Sequence, residues 1–256
     1  MQDLKVGMLQ FDQVWQNKLA NYKCIESYFT SDIQLDLLLI PEMFHTGFSM
    51  DTSCADNWMD SEGLHFLKQL AIERGCAIYT SLMVKNAGYF YNRGVFIEPN
   101  QEPTVYDKRK AFGLGGEAAH FTTGQKETIV NFKGWNINLQ ICYDLRFPEL
   151  VRNRIEMDGI ATYDLLLYVA NWPQKRILHW DSLLRARAIE NQCYVLGCNR
   201  VGKDANDLVY NGHSQAVDML GNYIQEPPEQ AGLYVVNLSW SALHEGRKML
   251  PFLKDA

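Results

Sequence analysis

Short apolar runs recur from one end of the chain to the other, most of them the length of a strand. Residues 4–11, 35–40 and 77–84 come first, and the more polar stretches 17–30 and 61–74 between them suit helices. Strand, helix, strand, helix, strand predicts α/β units. Runs 89–98 and 104–107 flank Glu98-Pro99-Asn100-Gln101, a turn signal that reads as a hairpin, and a second hairpin is predicted about Lys133-Gly134, between 128–132 and 136–142. The pattern then gives a helix over 148–158, a strand over 164–170 and a helix over 177–192. In the latter Leu178, Trp180, Leu183, Leu184 and Ile189 are apolar, with Arg185, Arg187 and Glu190 interleaved. Strands over 194–199, 213–219 and 233–238 follow. The tail 240–256 shows little periodicity, and such tails often pack across a neighbouring subunit.

Composition narrows the class. A chain of 256 residues can bury a large core, and with no linker, tandem repeat or low-complexity tract it reads as one two-sheet α/β domain over 1–256. Hydrophobic residues at 47% and charged residues at 21% suit a soluble globular protein. A formal net charge of -6 without a Lys/Arg run argues against nucleic acid as a partner. The longest apolar stretches, 35–41 and 165–170, are too short to cross a bilayer, so no membrane is expected. Met1-Gln2-Asp3-Leu4-Lys5-Val6 runs straight into alternating apolar residues, so no signal peptide is expected. Cysteines at 24, 54, 76, 142, 193 and 198 form no regular framework, which favours reduced thiols and a cytoplasmic location. Metal binding is disfavoured: no Cys-x-x-Cys occurs, and Cys193 and Cys198, five apart on an apparent strand, would face opposite sides.

Three residues stand where chemistry could be placed. Cys142 ends the strand 136–141 and precedes Tyr143-Asp144-Leu145-Arg146-Phe147-Pro148-Glu149, a loop whose N–H groups could face a developing oxyanion. Locally, an inert buried thiol reads equally well and prevails for most cysteines. Glu42 follows the apolar run 36–40 at the carboxyl end of a strand, where open α/β sheets place ligands; partial burial there would raise its pKa and make it a base for a thiol. The bland alternative is a solvated loop glutamate. Lys108 lies in Tyr106-Asp107-Lys108-Arg109-Lys110-Ala111-Phe112, where alternation puts Tyr106, Lys108 and Lys110 on one face; it could hold an oxyanion beside a glutamate or belong to a solvated basic cluster.

The chain resembles the nitrilase, or carbon–nitrogen hydrolase, superfamily over nearly its whole length. Pro41-Glu42 looks like the family's general-base motif, Tyr106-x-Lys108-x-x-x-Phe112 like its lysine motif, and Ile141-Cys142-Tyr143-Asp144-x-Arg146-Phe147-Pro148-Glu149 like its nucleophile motif. Asn92-Arg93, Ala170-Asn171-Trp172-Pro173, Arg185-Ala186-Arg187-Ala188-x-Glu190-Asn191, Asn199-Arg200-Val201-Gly202 and Gly212-His213-Ser214 match further segments. Lys110 departs from the pattern, standing where the family often has His. Glu117, nine residues past Lys108, stands where many members carry a second pocket-lining glutamate that positions the lysine and the substrate amide. Two other groupings read as structural. His213-Ser214 with Asp218 lacks a Gly-x-Ser-x-Gly elbow and lies in an apparent strand, and Arg185, Arg187 and Glu190 form an ion-pair network on one helix.

The resemblance implies a four-layer α-β-β-α sandwich of two mixed sheets. It also implies cofactor-free amide hydrolysis through a Cys142 thioester, with Glu42 as shared base and Lys108 and the Tyr143 N–H on the oxyanion. The stretch Pro41-Glu42-Met43-Phe44-x-x-Gly47-Phe48-x-Met50, Tyr106-Asp107-Lys108-Arg109 and Asn171-Trp172-Pro173 are similar to bacterial omega-amidases, which hydrolyse 2-oxoglutaramate and related dicarboxylate monoamides. A distal carboxylate needs a positive or hydrogen-bonding wall, for which Arg146, Tyr143 and Trp172 are the candidates, with Phe112 a further substrate-binding candidate; a tie between Arg146 and Glu149 would undo that assignment for Arg146. The alternatives are an N-carbamoyl amino acid or deaminated glutathione as substrate, or a silent member that binds a metabolite, against which the intact Glu42, Lys108 and Cys142 argue. Members pair through a helical face, so a homodimer is expected.

Overall fold

The computed structural model describes residues 2–29, 33–157 and 159–255. The first part of the chain supplies β1 (Leu4–Gln10), α1 (Lys18–Ser27), β2 (Leu37–Leu39), β3 (Asp56–Asn57), α2 (Glu62–Arg74), β4 (Ala77–Asn86), β5 (Tyr89–Ile97) and β6 (Thr104–Asp107). A short helix α3 (Glu117–His120) leads into β7 (Ile129–Phe132), β8 (Trp135–Ile141) and β9 (Leu165–Val169). Then come α4 (Ile177–Asn191), β10 (Tyr194–Cys198), β11 (Val201–Lys203), β12 (Val209–Asn211), β13 (Gln215–Val217), β14 (Tyr223–Gln225), β15 (Gly232–Leu238) and α5 (Trp240–Met249).

Two mixed sheets result, in the order β15-β1-β2-β4-β5-β6 with β3 beside β4, and β14-β13-β10-β9-β8-β7. Each has a parallel centre, β1-β2-β4 in one and β8-β9-β10 in the other, flanked by antiparallel strands. The sheets face each other across an apolar core in which Val6, Leu37 and Tyr79 meet Ile137, Leu139, Leu167 and Leu196. Tyr79 Oη crosses that core to donate to the Gln140 carbonyl at 2.9 Å. The outer face of the first sheet (Leu9, Leu38, Ile78) is covered by Tyr22 and Ile25 of α1 and Leu64, Leu67 and Leu70 of α2. On the second sheet α4 buries Trp180, Leu184 and Ala188. The layers are therefore α-β-β-α, as the resemblance implied.

Local chemistry explains most element ends. Ser61 caps α2 by accepting from the Leu64 N–H at 3.0 Å, and Gly75 ends it at φ +62°. The Lys133-Gly134 turn has φ +51° and +86°, the two left-handed residues that a tight hairpin needs. Ala87-Gly88 makes the same kind of turn between β4 and β5, a hairpin the apolar pattern did not show.

Three expectations need correcting. The segment 148–158 is not a helix: a 3₁₀ turn, Pro148–Leu150, gives way to irregular chain in which the Asn153 amide donates to the Tyr163 and Asn191 carbonyls, 3.0 and 2.9 Å. Such side-chain bonds to the backbone compete with helix formation, and Asp158 itself lies outside the described residues. The tail, expected to lack periodicity, carries a helix with contacts to the body of its own chain. Ser239 caps α5, Trp240 packs edge-on against Trp135 at 5.1 Å, Leu243 is buried, and Arg247 Nη1 binds Asp164 at 2.7 Å. Trp240, Leu243, Arg247 and Leu250 fall on one helical face, with a polar member that hid the period. Finally, residues 213 and 214 precede β13, and His213 has φ +62°. Among the described residues no helix is long and apolar enough to cross a membrane.

Candidate active site

The carboxyl ends of β2, β6, β8 and β9 converge at one edge of the sandwich, and each is followed by a polar residue turned inward: Glu42, Lys108, Cys142 and Asn171. Their meeting point is the ligand position of parallel α/β sheets. At its centre Lys108 Nζ binds Glu42 Oε1 at 2.9 Å on one side and both Glu117 oxygens, 3.0 and 2.9 Å, on the other. Glu42 is fully buried, more deeply than the partial burial expected for it, and Lys108 and Glu117 are almost as enclosed. Asn92 Nδ2 bridges the two carboxylates, donating to Glu42 Oε1 at 2.7 Å and to Glu117 Oε1 at 3.2 Å. The second Glu42 oxygen accepts the Asn171 N–H at 2.9 Å, and Glu117 Oε2 accepts the Phe112 N–H at 2.6 Å. Burial by itself disfavours the ammonium of Lys108, but the Glu117 and Glu42 carboxylates outweigh it and hold the lysine above its ordinary value. It is a fixed cation gripped from two sides.

Cys142 opens a 3₁₀ turn, Cys142–Arg146, with the left-handed φ of +44°. The conformation swings its thiol away from the strand direction. Sγ lies 3.9 Å from the Asn171 carbonyl oxygen. Burial first, and then the negative charge of the Glu42 carboxylate, push the thiol well above its usual value, against the pull of Lys108. At the start of the turn the Cys142 and Tyr143 N–H groups have no carbonyl to bond within it.

Asp144 holds this turn. Its Oδ2 accepts from the Tyr106 hydroxyl at 2.8 Å and the Ile141 N–H at 3.1 Å, and its Oδ1 from the Lys110 N–H at 2.9 Å. The Cys142 turn is thereby pinned to the segment that carries Lys108. Burial raises the Asp144 carboxyl to about 6, with Lys108 and its three donors acting the other way. Arg187 of α4 closes the turn from behind, donating to the Leu145 carbonyl at 2.7 Å as well as to Glu190 at 2.8 Å. The expected network on α4 is thus the Arg187–Glu190 pair. Arg185 lies outside it and donates to the Gly221 carbonyl.

Above Cys142 opens a cavity of about 500 Å³. All four residues expected in its wall are there: Phe112, Tyr143, Arg146 and Trp172. Arg146 is not tied to Glu149; its guanidinium stacks over Trp172 at 4.7 Å and reaches His179 Nδ1 at 3.2 Å. Glu149 instead faces Lys110 at 3.6 Å, and Lys110 sits over the Phe147 ring, away from Lys108. The shared face expected for Lys108 and Lys110 fails because β6 ends at Asp107 and alternation ends with it. Ser214 exchanges hydrogen bonds with the Asn199 backbone, and His213 pairs with Asp181 at 3.0 Å, so both serve the fold. Both carboxylates of the centre face Lys108, and among the described residues no group of three or more His, Cys, Asp or Glu could hold a metal ion.

Sequence reasoning quoted Asn92, Asp144 and Asn171 inside motifs without giving them a part in the site. Their signal was position alone, since an amide or carboxyl that braces other side chains leaves no periodic trace. Phe48, quoted only within the stretch similar to omega-amidases, also lines the cavity, and Arg176, in the same wall, had no signal.

Comparison with known proteins agrees with this geometry. Residues 5–248 match the carbon–nitrogen hydrolase family. The chain is 39% identical to the omega-amidase YafV of Yersinia enterocolitica, covering 100% of this chain and 97% of that one. It is 30% identical to the 2-oxoglutaramate amidase of Bacillus subtilis, covering 98% and 96%. The crystal structure of XC1258 from Xanthomonas campestris, a CN-hydrolase superfamily protein with an arsenic adduct in its active site, superposes with a TM-score of 0.95 at 37% identity over 100% of this chain and 98% of that one.

Proposed function

The chain belongs to the carbon–nitrogen hydrolase family, and from that premise we propose that it hydrolyses the terminal amide of a small dicarboxylate monoamide of the 2-oxoglutaramate kind, giving the acid and ammonia through a thioester on Cys142. The observation that carries the reading is the buried Glu42–Lys108–Glu117 cluster beneath a thiol at the foot of a cavity. A neutral thiol beside a carboxylate suits proton removal coupled to attack, so Glu42 accepts the Sγ proton as sulfur bonds to the amide carbon. Lys108 Nζ and the Tyr143 N–H hold the oxyanion. Glu42 returns the proton to the leaving nitrogen, the C–N bond breaks and ammonia departs. Water then attacks the thioester, Glu42 takes its proton, and collapse frees the acid and restores the thiol. Glu117 and Asn92 keep Lys108 and Glu42 in place. Arg146 faces the far end of the substrate, a position that suits its carboxylate.

The reading extends to the protein's setting. All six cysteines are free thiols, which suits the cytoplasm. The outer face of α4 exposes Leu178 and Ile189, 72% and 50% accessible, and Leu220 also stands exposed, which suits a homodimer. Ammonia release by the purified protein from 2-oxoglutaramate, succinamate, an N-carbamoyl amino acid and a nitrile tests the proposal. Turnover of the two monoamides is expected; turnover of the carbamoyl compound without them would overturn it.

A further inference from the structure

Hydrolysis accounts for the foot of the cavity, but one wall carries charge that hydrolysis does not use. Two guanidinium groups, Arg146 and Arg176, face the same space. Arg146 is braced by His179 and Trp172. Arg176 has a fixed backbone: its N–H donates to the Pro173 carbonyl at 2.9 Å, its carbonyl accepts from Trp172 Nε1 at 2.8 Å, and it caps the N-terminus of the fifteen-residue α4. Its side chain is otherwise placed. Among the described residues its guanidinium has no hydrogen-bond acceptor and no carboxylate, and it rests half-buried on the Phe112 ring at 5.2 Å.

The acids of the same wall are committed elsewhere. Asp204 accepts from the Tyr210 hydroxyl and the Asn206 and Leu208 N–H groups, and Asp51 accepts from the Ser53 N–H and hydroxyl. Burial pulls the Arg176 guanidinium below its ordinary value, and the like charge of Arg146 adds to it. A half-buried cation with no counter-ion among the described residues and a second cation nearby is costly, and an anion between the two relieves both. A fork of five N–H donors on a fixed backbone also matches a carboxylate in shape.

We propose that Arg176 is a specificity-determining residue whose guanidinium, together with that of Arg146, receives the carboxylate at the non-reacting end of the substrate and so selects acidic monoamides over neutral amides of similar length. The inference rests on the amidase reading for the reaction at Cys142 and adds the residue that reads the other end.

Kinetics of Arg176→Met and Arg176→Lys on succinamate and on butyramide test it, with glutarate binding measured by calorimetry on the same proteins. Methionine retains apolar contact with Phe112 and removes the charge together with the N–H donors. The expected result is a rise in KM for succinamate of about tenfold or more with kcat much less affected, and an equal fall in the succinamate-to-butyramide ratio of kcat/KM. Glutarate binding weakens in step, and lysine restores part of each. Equal losses on both amides, or an unchanged ratio, overturn the inference, as does wild-type protein that binds no glutarate. If wild-type protein binds glutarate through Arg176 yet hydrolyses no monoamide, the carboxylate site stands and the proposed reaction falls.

Discussion

Cys142 sits at φ +44°, a backbone conformation that costs a residue with a Cβ about 1–2 kcal/mol. The surroundings impose it: Asp144 accepts from the Ile141 N–H on one side of the residue and Arg187 holds the Leu145 carbonyl on the other. Cys142→Ala should abolish ammonia release while retaining the fold, and Cys142→Gly, equally inactive, should be about 1 kcal/mol more stable than the alanine variant in urea unfolding, because glycine accepts this φ freely. The reverse order of stability would remove the strain argument. Glu42→Gln keeps the hydrogen bonds to Oε1 but cannot take a proton, and kcat should fall by about 10²–10⁴. A loss under tenfold would show that another group is the base. Asp144 gives a pH signature. Its carboxyl rises from 3.8 to about 6 on folding, so between those values the folded state binds more protons than the unfolded. Stability from this group is therefore fully present below about pH 4 and lost as pH rises through 6, on the order of 2–3 kcal/mol in all. Thermal melts of wild type should show that falling contribution and Asp144→Asn should lack it; parallel curves would rule it out.

At the scale of elements, the position of Lys108 depends on a neighbour remote in sequence. Gly124 donates its N–H to the Lys108 carbonyl at 2.9 Å, and a Cβ there would lie 2.1 Å from the Asp107 carbonyl oxygen. Backbone cannot yield as a flexible side chain can. Gly124→Ala should therefore cost about 1–3 kcal/mol and, by displacing Lys108, lower kcat some ten- to a hundredfold. Urea unfolding and steady-state kinetics check the two effects, and an alanine variant with wild-type kcat would show that the strand end does not govern the lysine. Nothing in Phe121-Thr122-Thr123-Gly124 marks that approach, since a close contact between distant backbones has no period. The strands themselves were legible because each alternates or is wholly apolar. The helix expected over 148–158 was not, because Asn153 binds the Tyr163 and Asn191 carbonyls, contacts that exist only once β9 and α4 have assembled.

Across the whole molecule, the two sheets bring together groups from separated parts of the chain: Glu42, Asn92, Lys108 and Glu117 with the first sheet and the loop after it, Cys142 and Asn171 with the second. The site thus depends on the packing between sheets, and the Tyr79–Gln140 and Tyr106–Asp144 bonds cross that seam. The exposed apolar face of α4 belongs to the same scale. Light scattering coupled to size exclusion should give a dimer for wild type and a monomer for Leu178→Asp; a wild-type monomer at micromolar concentration would end the homodimer proposal.

The sequence by itself determined the α/β class and marked Glu42, Lys108 and Cys142 as candidates, because strand ends are marked by apolar runs and the three motifs that carry the family resemblance fall on three such ends. Only the tertiary structure decided that Glu42 is fully buried, that Asn92 bridges it to Glu117, and that Arg176 stands in the cavity with no counter-ion among the described residues. Burial and pairing are set by what the rest of the chain puts around a residue, and a linear pattern carries direction along the strand but not the identity of the neighbour across it.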